Sequence, residues 1–189
     1  MHIFLETGRL RLRRFTEDDV DNLFALNSDP EVMRYINGGQ PTPREMIRDE
    51  IIPFHLGAYQ RSGRFGTWAA EVRPTGEFLG WFHFRPGPGE GIDLGYRLRR
   101  AVWNQGYATE GSRALIRAGF TSLGVQRVFA HTMAVNAASR RVLEKSGLIF
   151  VRASPCEGPD AIEGSEHGEV EYALTKAEWE ARLAGDASA

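Results

Sequence analysis

The sequence predicts a fold of the α+β, mixed type, and three observations carry that expectation. Short segments of strand period cluster between residues 65 and 98, segments of helical period precede them, and after residue 107 helix and strand periods take turns. One core is expected, because 189 residues with 42% hydrophobic and 25% charged side chains lie near the globular average. No repeat, linker or low-complexity stretch divides them, so residues 1–189 read as a single domain.

In chain order, Leu10, Arg11, Leu12 and Arg13 alternate apolar and basic residues, as a half-buried strand does. Thr16 followed by Glu17, Asp18 and Asp19 places a cap and acids at a helix start. Val20, Leu23, Phe24 and Leu26 stripe that helix, which ends near Asp29 and Pro30. Val32, Met33 and Ile36 suggest a short second helix, stopped by Asn37, Gly38 and Gly39. A third begins after Pro43, striped by Met46, Ile47 and Ile51, and Pro53 must kink or break it. Residues 65–72 and 78–84 form a hairpin about Pro74, Thr75 and Gly76, and residues 92–98 add a third strand after the Gly/Pro loop 86–91. The second half reads as a helix over 107–120 with Ala108, Leu115, Ile116 and Phe120 inward, then a strand over 125–132. A short helix over 136–146 closes on Gly147, and a strand follows over 148–151. Residues 154–169 carry no pattern; a last strand over 170–174 precedes a helical tail over 176–183.

Charge and cysteine content exclude several partners. Lys plus Arg number 23 against 25 Asp plus Glu, a net charge of −2 that gives no case for nucleic acid or an anionic membrane. The one cysteine, Cys156, forms no internal disulfide and fits a reducing compartment, so a cytoplasmic location is expected. No apolar run approaches the ~18 residues of a membrane span, and the first six residues lack the features of a signal peptide. His2, His55, His83, His131 and His167 are scattered without ligand spacing, so no metal is expected. A monomer or a homodimer is consistent with all of this.

The chemistry concentrates in residues 98–110. A strand runs through a turn containing Gly106 directly into a helix, so unpaired backbone N–H groups and the positive end of the helix dipole meet at one point. Such a cradle suits a pyrophosphate, and an ordinary helix start is the competing reading. No Gly-Lys-Ser/Thr follows, and Gly87, Gly89 and Gly91 precede a strand rather than a helix, so neither a Walker loop nor a dinucleotide fingerprint is present.

Across nearly its whole length the chain resembles the GNAT N-acetyltransferase superfamily, within it the RimJ/RimL-like ribosomal-protein branch. The matching pieces are residues 7–13 with Glu17, Asp18 and Asp19; Gly95-Tyr96-Arg97-Leu98; Trp103-Asn104-Gln105-Gly106-Tyr107-Ala108-Thr109-Glu110; Asn136-Ala137-Ala138-Ser139 to Gly147; and Tyr172-Ala173-Leu174-Thr175. The family loop, usually Gln/Arg-x-x-Gly-x-Gly/Ala, is here Trp103-x-x-Gly106-x-Ala108. The resemblance implies a central mixed, mostly antiparallel sheet of about seven strands, helices on both faces, and a splay between the fourth and fifth strands. It implies acetyl-CoA as co-substrate, its pyrophosphate over Asn104, Gln105, Gly106, Tyr107, Ala108 and Thr109 and its pantetheine along Tyr96, Arg97 and Leu98. Asn136 matches a pantetheine contact, although Asn is also a favoured helix N-cap. Arg100, Arg140 and Arg141 are candidates for the 3′-phosphate.

Acetyl transfer to an amine needs a proton acceptor, an oxyanion donor and a proton for the leaving thiolate. Deprotonating an α-amine or a lysine costs on the order of 1–5 kcal/mol at neutral pH. The first candidate base is Asp93, where this branch commonly places an acid; Glu77, Glu71 and His83 are alternatives. The backbone N–H of Leu98 is the expected oxyanion donor. The tyrosine that many relatives place in the helix after Asn136 is replaced by Val142 and Leu143, so Ser139 is the candidate to assist the thiolate. Glu157, Asp160, Glu163, Glu166, Glu169 and Glu171 with no intervening Lys or Arg suggest a cationic acceptor, such as a basic peptide N-terminus or a small amine. Met33, Tyr35, Phe54, His55 and Tyr59 are candidates for the other wall of the acceptor site. The competing functions are a CoA-binding sensor or regulatory subunit without turnover, and a hydrolase using Cys156 or Ser139 with His131 or His167.

Overall fold

The computed structural model describes residues 2–88, 90–156 and 162–186. Its strands are β1 (Ile3–Glu6), β2 (Leu10–Arg13), β3 (Gly66–Val72), β4 (Phe78–Pro86), β5 (Ile92–Leu98), β6 (Arg127–Met133), β7 (Ile149–Ser154) and β8 (Glu169–Thr175). They form one sheet in the order β1-β2-β3-β4-β5-β6-β8-β7, antiparallel at every pairing except β5 with β6. Eight strands replace the expected seven because β1 pairs with β2, so the splay falls between the fifth and sixth strands. Ile3–Glu6 has no apolar/polar alternation to announce a strand; tertiary contact makes it one, with Phe4 stacked on Trp68 at 3.9 Å between ring centroids.

Helices cover both faces. On one, α1 (Val20–Asn27) and α2 (Pro30–Asn37) lie with α3 (Arg44–Met46) and α4 (Ile52–Arg61). Their core gathers Phe15, Leu23, Leu26, Val32, Ile47 and Ile52 against Ala69 and Phe78 of the sheet. On the other, α5 (Tyr107–Ser122) and α6 (Ala137–Lys145) bury Leu115, Ile116, Phe120 and Leu143 against Phe82, Phe84, Leu94 and Leu98. The C-terminal α7 (Lys176–Asp186) packs Trp179 on Phe120. Gly111 and Gly119 of α5 face the rings of Phe82 and Phe84, and a Cβ at either would come within 2.7 Å of a ring atom.

Pro53 neither breaks nor ends its helix. The chain widens into a π-helical stretch, Ile47–Ile51, in which the Ile52 N–H donates to Ile47 O five residues back. Proline then enters the first turn of α4, where its missing N–H has least to lose. The patternless region contains a 3-10 turn, Ser165–His167. Glu157 and Asp160 of the acidic run, and Gly89 of the Gly/Pro loop, lie outside the described residues. Among the described residues, no helix is long and apolar enough to cross a membrane.

Candidate active site

The β5–β6 ladder holds only where Ile92 faces Val128 and Asp93 faces Phe129, and beyond that the strands diverge. The alternation of the β4–β5 ladder decides what faces the gap. Arg99 N–H donates to Leu79 O at 2.8 Å, so by the two-residue period of an antiparallel pair the backbone of Arg97 and Gly95 also turns to β4. The N–H groups of Tyr96 and Leu98 therefore turn the other way, into the splay. Leu98 O accepts the indole N–H of Trp103 at 2.8 Å, which ties the loop to the strand end.

That loop is shaped by two left-handed residues. Asn104 has φ 59°, the one non-glycine residue with positive φ among those described, and Gly106 has φ 83° immediately before α5. An arm between β1 and β2 clamps the same point. Glu110 accepts from Thr7 Oγ1 at 2.6 Å and from Arg9 Nε at 2.6 Å, while Arg9 Nη1 donates to Gln105 O at 3.0 Å and its guanidinium lies 4.4 Å from the Tyr107 ring centre. Burial opposes ionisation of Glu110, but Thr7 and Arg9 hold its carboxyl below the ordinary range.

The two faces of β5 carry different groups. Toward α6, Tyr96 Oη lies 3.1 Å from Ser139 Oγ, bridging the gap, and burial pushes the phenol up to about 12. Asn136 caps α6 by accepting the Ser139 N–H at 3.1 Å, so its capping role is realised. Toward α1–α4, the cross-strand pairs are Trp81 with Arg97, His83 with Gly95 and Arg85 with Asp93. His83 fills the place a side chain at 95 would occupy: a Cβ on Gly95 would come within 2.5 Å of the imidazole. His83 Nε2 is 3.2 Å from Asp93 Oδ2, an ion-pair approach outside hydrogen-bond geometry, and it is sealed from solvent. Burial raises the Asp93 pKa, yet His83, Arg85 and His131 outweigh it and hold the carboxyl below its ordinary value.

Other candidates land elsewhere. Glu71 is buried against Arg13 at 2.5 Å, and Glu77 is exposed beside Arg99, so neither shares the Asp93 site. Arg140 is taken up by Tyr172 Oη and Ala134 O, whereas Arg100 and Arg141 are exposed. Within the acidic run Glu171 pairs with Arg127 and Arg152, Glu163 lies 3.6 Å from Arg34, and Glu166 approaches His167. Met33 and Tyr59 are core, and His55 stacks on Phe15, its pKa lowered to about 4 by burial. Burial and Glu169 raise the Cys156 thiol, the reverse of what a nucleophile needs, and Ser139 contacts a tyrosine rather than a histidine. Sequence reasoning did not single out the Arg9–Glu110 clamp, nor the pairing of His83 with Asp93.

The model of the "Acetyltransferase (GNAT) domain" matches residues 9–149. The chain belongs to the GNAT acetyltransferase family. Among curated relatives it is similar to FsC-acetyl coenzyme A-N(2)-transacetylase of Aspergillus fumigatus, 33% identical over 187 residues, covering 93% of this chain and 77% of that protein. Among solved structures it is similar to a GNAT-family acetyltransferase from Bacillus anthracis, with TM-score 0.79 and 26% identity over 93% of this chain and 99% of that one. It shares its fold with the RimL ribosomal α-N-protein acetyltransferase solved in complex with coenzyme A, with TM-score 0.77 and 18% identity over 92% and 98% of the two chains. The protein is an N-acetyltransferase of the GNAT fold, for which the family implies acetyl-CoA.

Proposed function

We propose that this protein transfers acetyl from acetyl-CoA directly to a primary amine, of a small molecule or a protein N-terminus, within a ternary complex in the cytoplasm. One observation carries the reading: a splayed β5–β6 gap receives two backbone N–H groups, with Asp93 and His83 on one face and Tyr96 and Ser139 on the other. The left-handed loop at Asn104 and Gly106 and the start of α5 fit a pyrophosphate, and the unpaired backbone of Tyr96 and Leu98 fits pantetheine amides. Bound there, acetyl-CoA supplies an activated acetyl thioester.

The chain's own groups then divide the work. His83 accepts the proton of the incoming amine, and the ionised Asp93 holds the imidazole and offsets its new charge. Leu98 N–H stabilises charge developing on the acetyl oxygen. Ser139, hydrogen-bonded to a Tyr96 phenol that stays protonated at neutral pH, delivers a proton to the thiolate. That pair fills the role left empty at Val142 and Leu143, which favours turnover over a CoA sensor.

Acetyl-CoA at a hundredfold excess over its Kd is expected to raise the melting temperature by roughly 5–10 °C. Gly106→Pro should abolish this shift, since proline fixes φ near −65° where the loop needs +83°. A full shift in that variant would mean that the pyrophosphate binds elsewhere.

A further inference from the structure

The sheet face that carries Asp93 has an open cavity beside it that the acetyl-transfer steps leave unused. It lies between α4 and the adjoining ends of β3 and β4, holds about 160 Å³, and is walled by Phe54, Ala58, Phe65 and Pro86. Strand register sets it against the His83–Asp93 pair. Thr67 and Arg85 both line the cavity. Thr67 is the cross-strand partner of His83, and Arg85 is that of Asp93, with Arg85 Nε 3.7 Å from Asp93 Oδ2. Residues directly opposite each other in such a ladder share a face, with Cβ atoms ~5 Å apart, so one side chain separates the cavity from either member of the pair.

The lining suits a flat, uncharged group. His55 is its one histidine, and burial, Arg85 and His83 lower its pKa to about 4, so it is neutral where the enzyme works. Phe54 stands at the mouth, 56% exposed, the largest exposure among the exposed large apolar side chains described, and its ring meets His55 edge-on at 5.7 Å. An apolar space of ~150 Å³ is enough for a benzene ring. A ring placed here would find Phe54, His55 and Phe65 as aromatic neighbours. The charged side chains of the lining, Arg61 and Arg85, are both positive, so a second ammonium on the acceptor would meet like charge.

We propose that this cavity receives an aromatic ring carried by the acceptor, which makes primary amines with a ring a few atoms from the nitrogen the substrate class. This rests on the acetyl-transfer reading above, and it replaces the expectation of a basic acceptor with that of a singly charged one. Of the residues expected to form the other wall of the acceptor site, Phe54 and His55 serve, whereas Met33 and Tyr59 are core.

The test compares amines that differ only in the ring, with free thiol release from acetyl-CoA as readout: benzylamine, phenethylamine, phenylpropylamine and phenylalaninamide, each against methylamine, ethylamine, propylamine and alaninamide in turn. The wild type should favour at least one ring amine over its ring-free counterpart by roughly 10- to 100-fold in kcat/KM. Ala58→Leu, which fills the cavity, should bring that ratio close to one. Phe54→Ala, at an exposed position, should lower it in part and serves if the leucine variant fails to fold. Each ratio is taken within one variant, so a general loss of activity cancels. Ratios near one for every pair in the wild type, an unchanged ratio in either variant, or a preference for diaminobutane over every ring amine would overturn the aromatic site while leaving acetyl transfer intact. Thiol release that none of these amines stimulates would overturn the acetyl-transfer reading and the site with it.

Discussion

Asp93→Asn is expected to lower kcat by roughly 10²- to 10³-fold at neutral pH, with the KM for acetyl-CoA nearly unchanged. His83→Ala should lose at least as much. Asp93 is held below its ordinary pKa by His83, Arg85 and His131 against the opposing effect of burial, so it is ionised throughout the neutral range. A carboxylate of depressed basicity is a poor terminal acceptor for an amine proton, but it suits the support of an imidazolium 3.2 Å away. The signs separate the two roles. Activity that needs ionised Asp93 is present above its lowered pKa and disappears as pH falls through it, below the usual carboxylate range. The role of His83 is read from the change in the pH profile when its imidazole is removed. A pH profile altered in His83→Ala, beside one that keeps its shape at reduced height in Asp93→Asn, assigns the base to His83. An unaltered pH profile in His83→Ala would return that role to Asp93 acting through water.

Arg13→Ala is expected to destabilise the fold by about 3–5 kcal/mol, equivalent to a melting temperature lower by roughly 6–20 °C. The guanidinium is the shared partner of two buried acids, Asp19 and Glu71, which are 1% and 7% exposed. Asp19 also accepts from Thr16 N–H at 2.9 Å and Asn22 Nδ2 at 2.9 Å, so the cluster sets the entry into α1. Burial resists ionisation of Asp19, yet Arg13, Thr16 and Asn22 hold its pKa below the ordinary value. The stability this contributes is therefore present at neutral pH and lost as pH falls through the folded-state pKa. In Arg13→Ala the sign reverses: with Arg13 gone, burial of Asp19 favours its protonated form, and the variant should recover stability on mild acidification. Urea unfolding at neutral and mildly acidic pH checks both statements, and a neutral-pH loss under about 1 kcal/mol would contradict them. The cluster also bears on the site, because α1 carries the Asn27 that holds Arg97.

Periodicity and capping made most elements legible. The Thr16 capping box, the hairpin about Gly76, β5 to the residue, and the left-handed Gly147 all follow from local rules. Local rules could not supply β1, whose strand state depends on β2 and on Trp68, nor the π-helical accommodation of Pro53. The loop before α5 was legible because one glycine, Gly106, defines its left-handed turn. The His83–Asp93 pairing was less so, since it depends on register. His83 and Asp93 meet only because the β4–β5 ladder sets His83 against Gly95, and the clamp of Arg9 on Glu110 joins residues a hundred positions apart. The same holds for Glu171 of the acidic run, whose charge looks unopposed in sequence although Arg127 and Arg152 reach it from neighbouring strands.

The central claim is tested most directly by mixing the protein with acetyl-CoA and a panel of primary amines, following free thiol and identifying acetylated product by mass. The account predicts thiol release that requires an amine, matches N-acetylated product one for one, falls to background in Gly106→Pro and falls at least ~10²-fold in His83→Ala. Binding of acetyl-CoA without amine-dependent thiol release above that background would contradict it and leave a CoA sensor in its place.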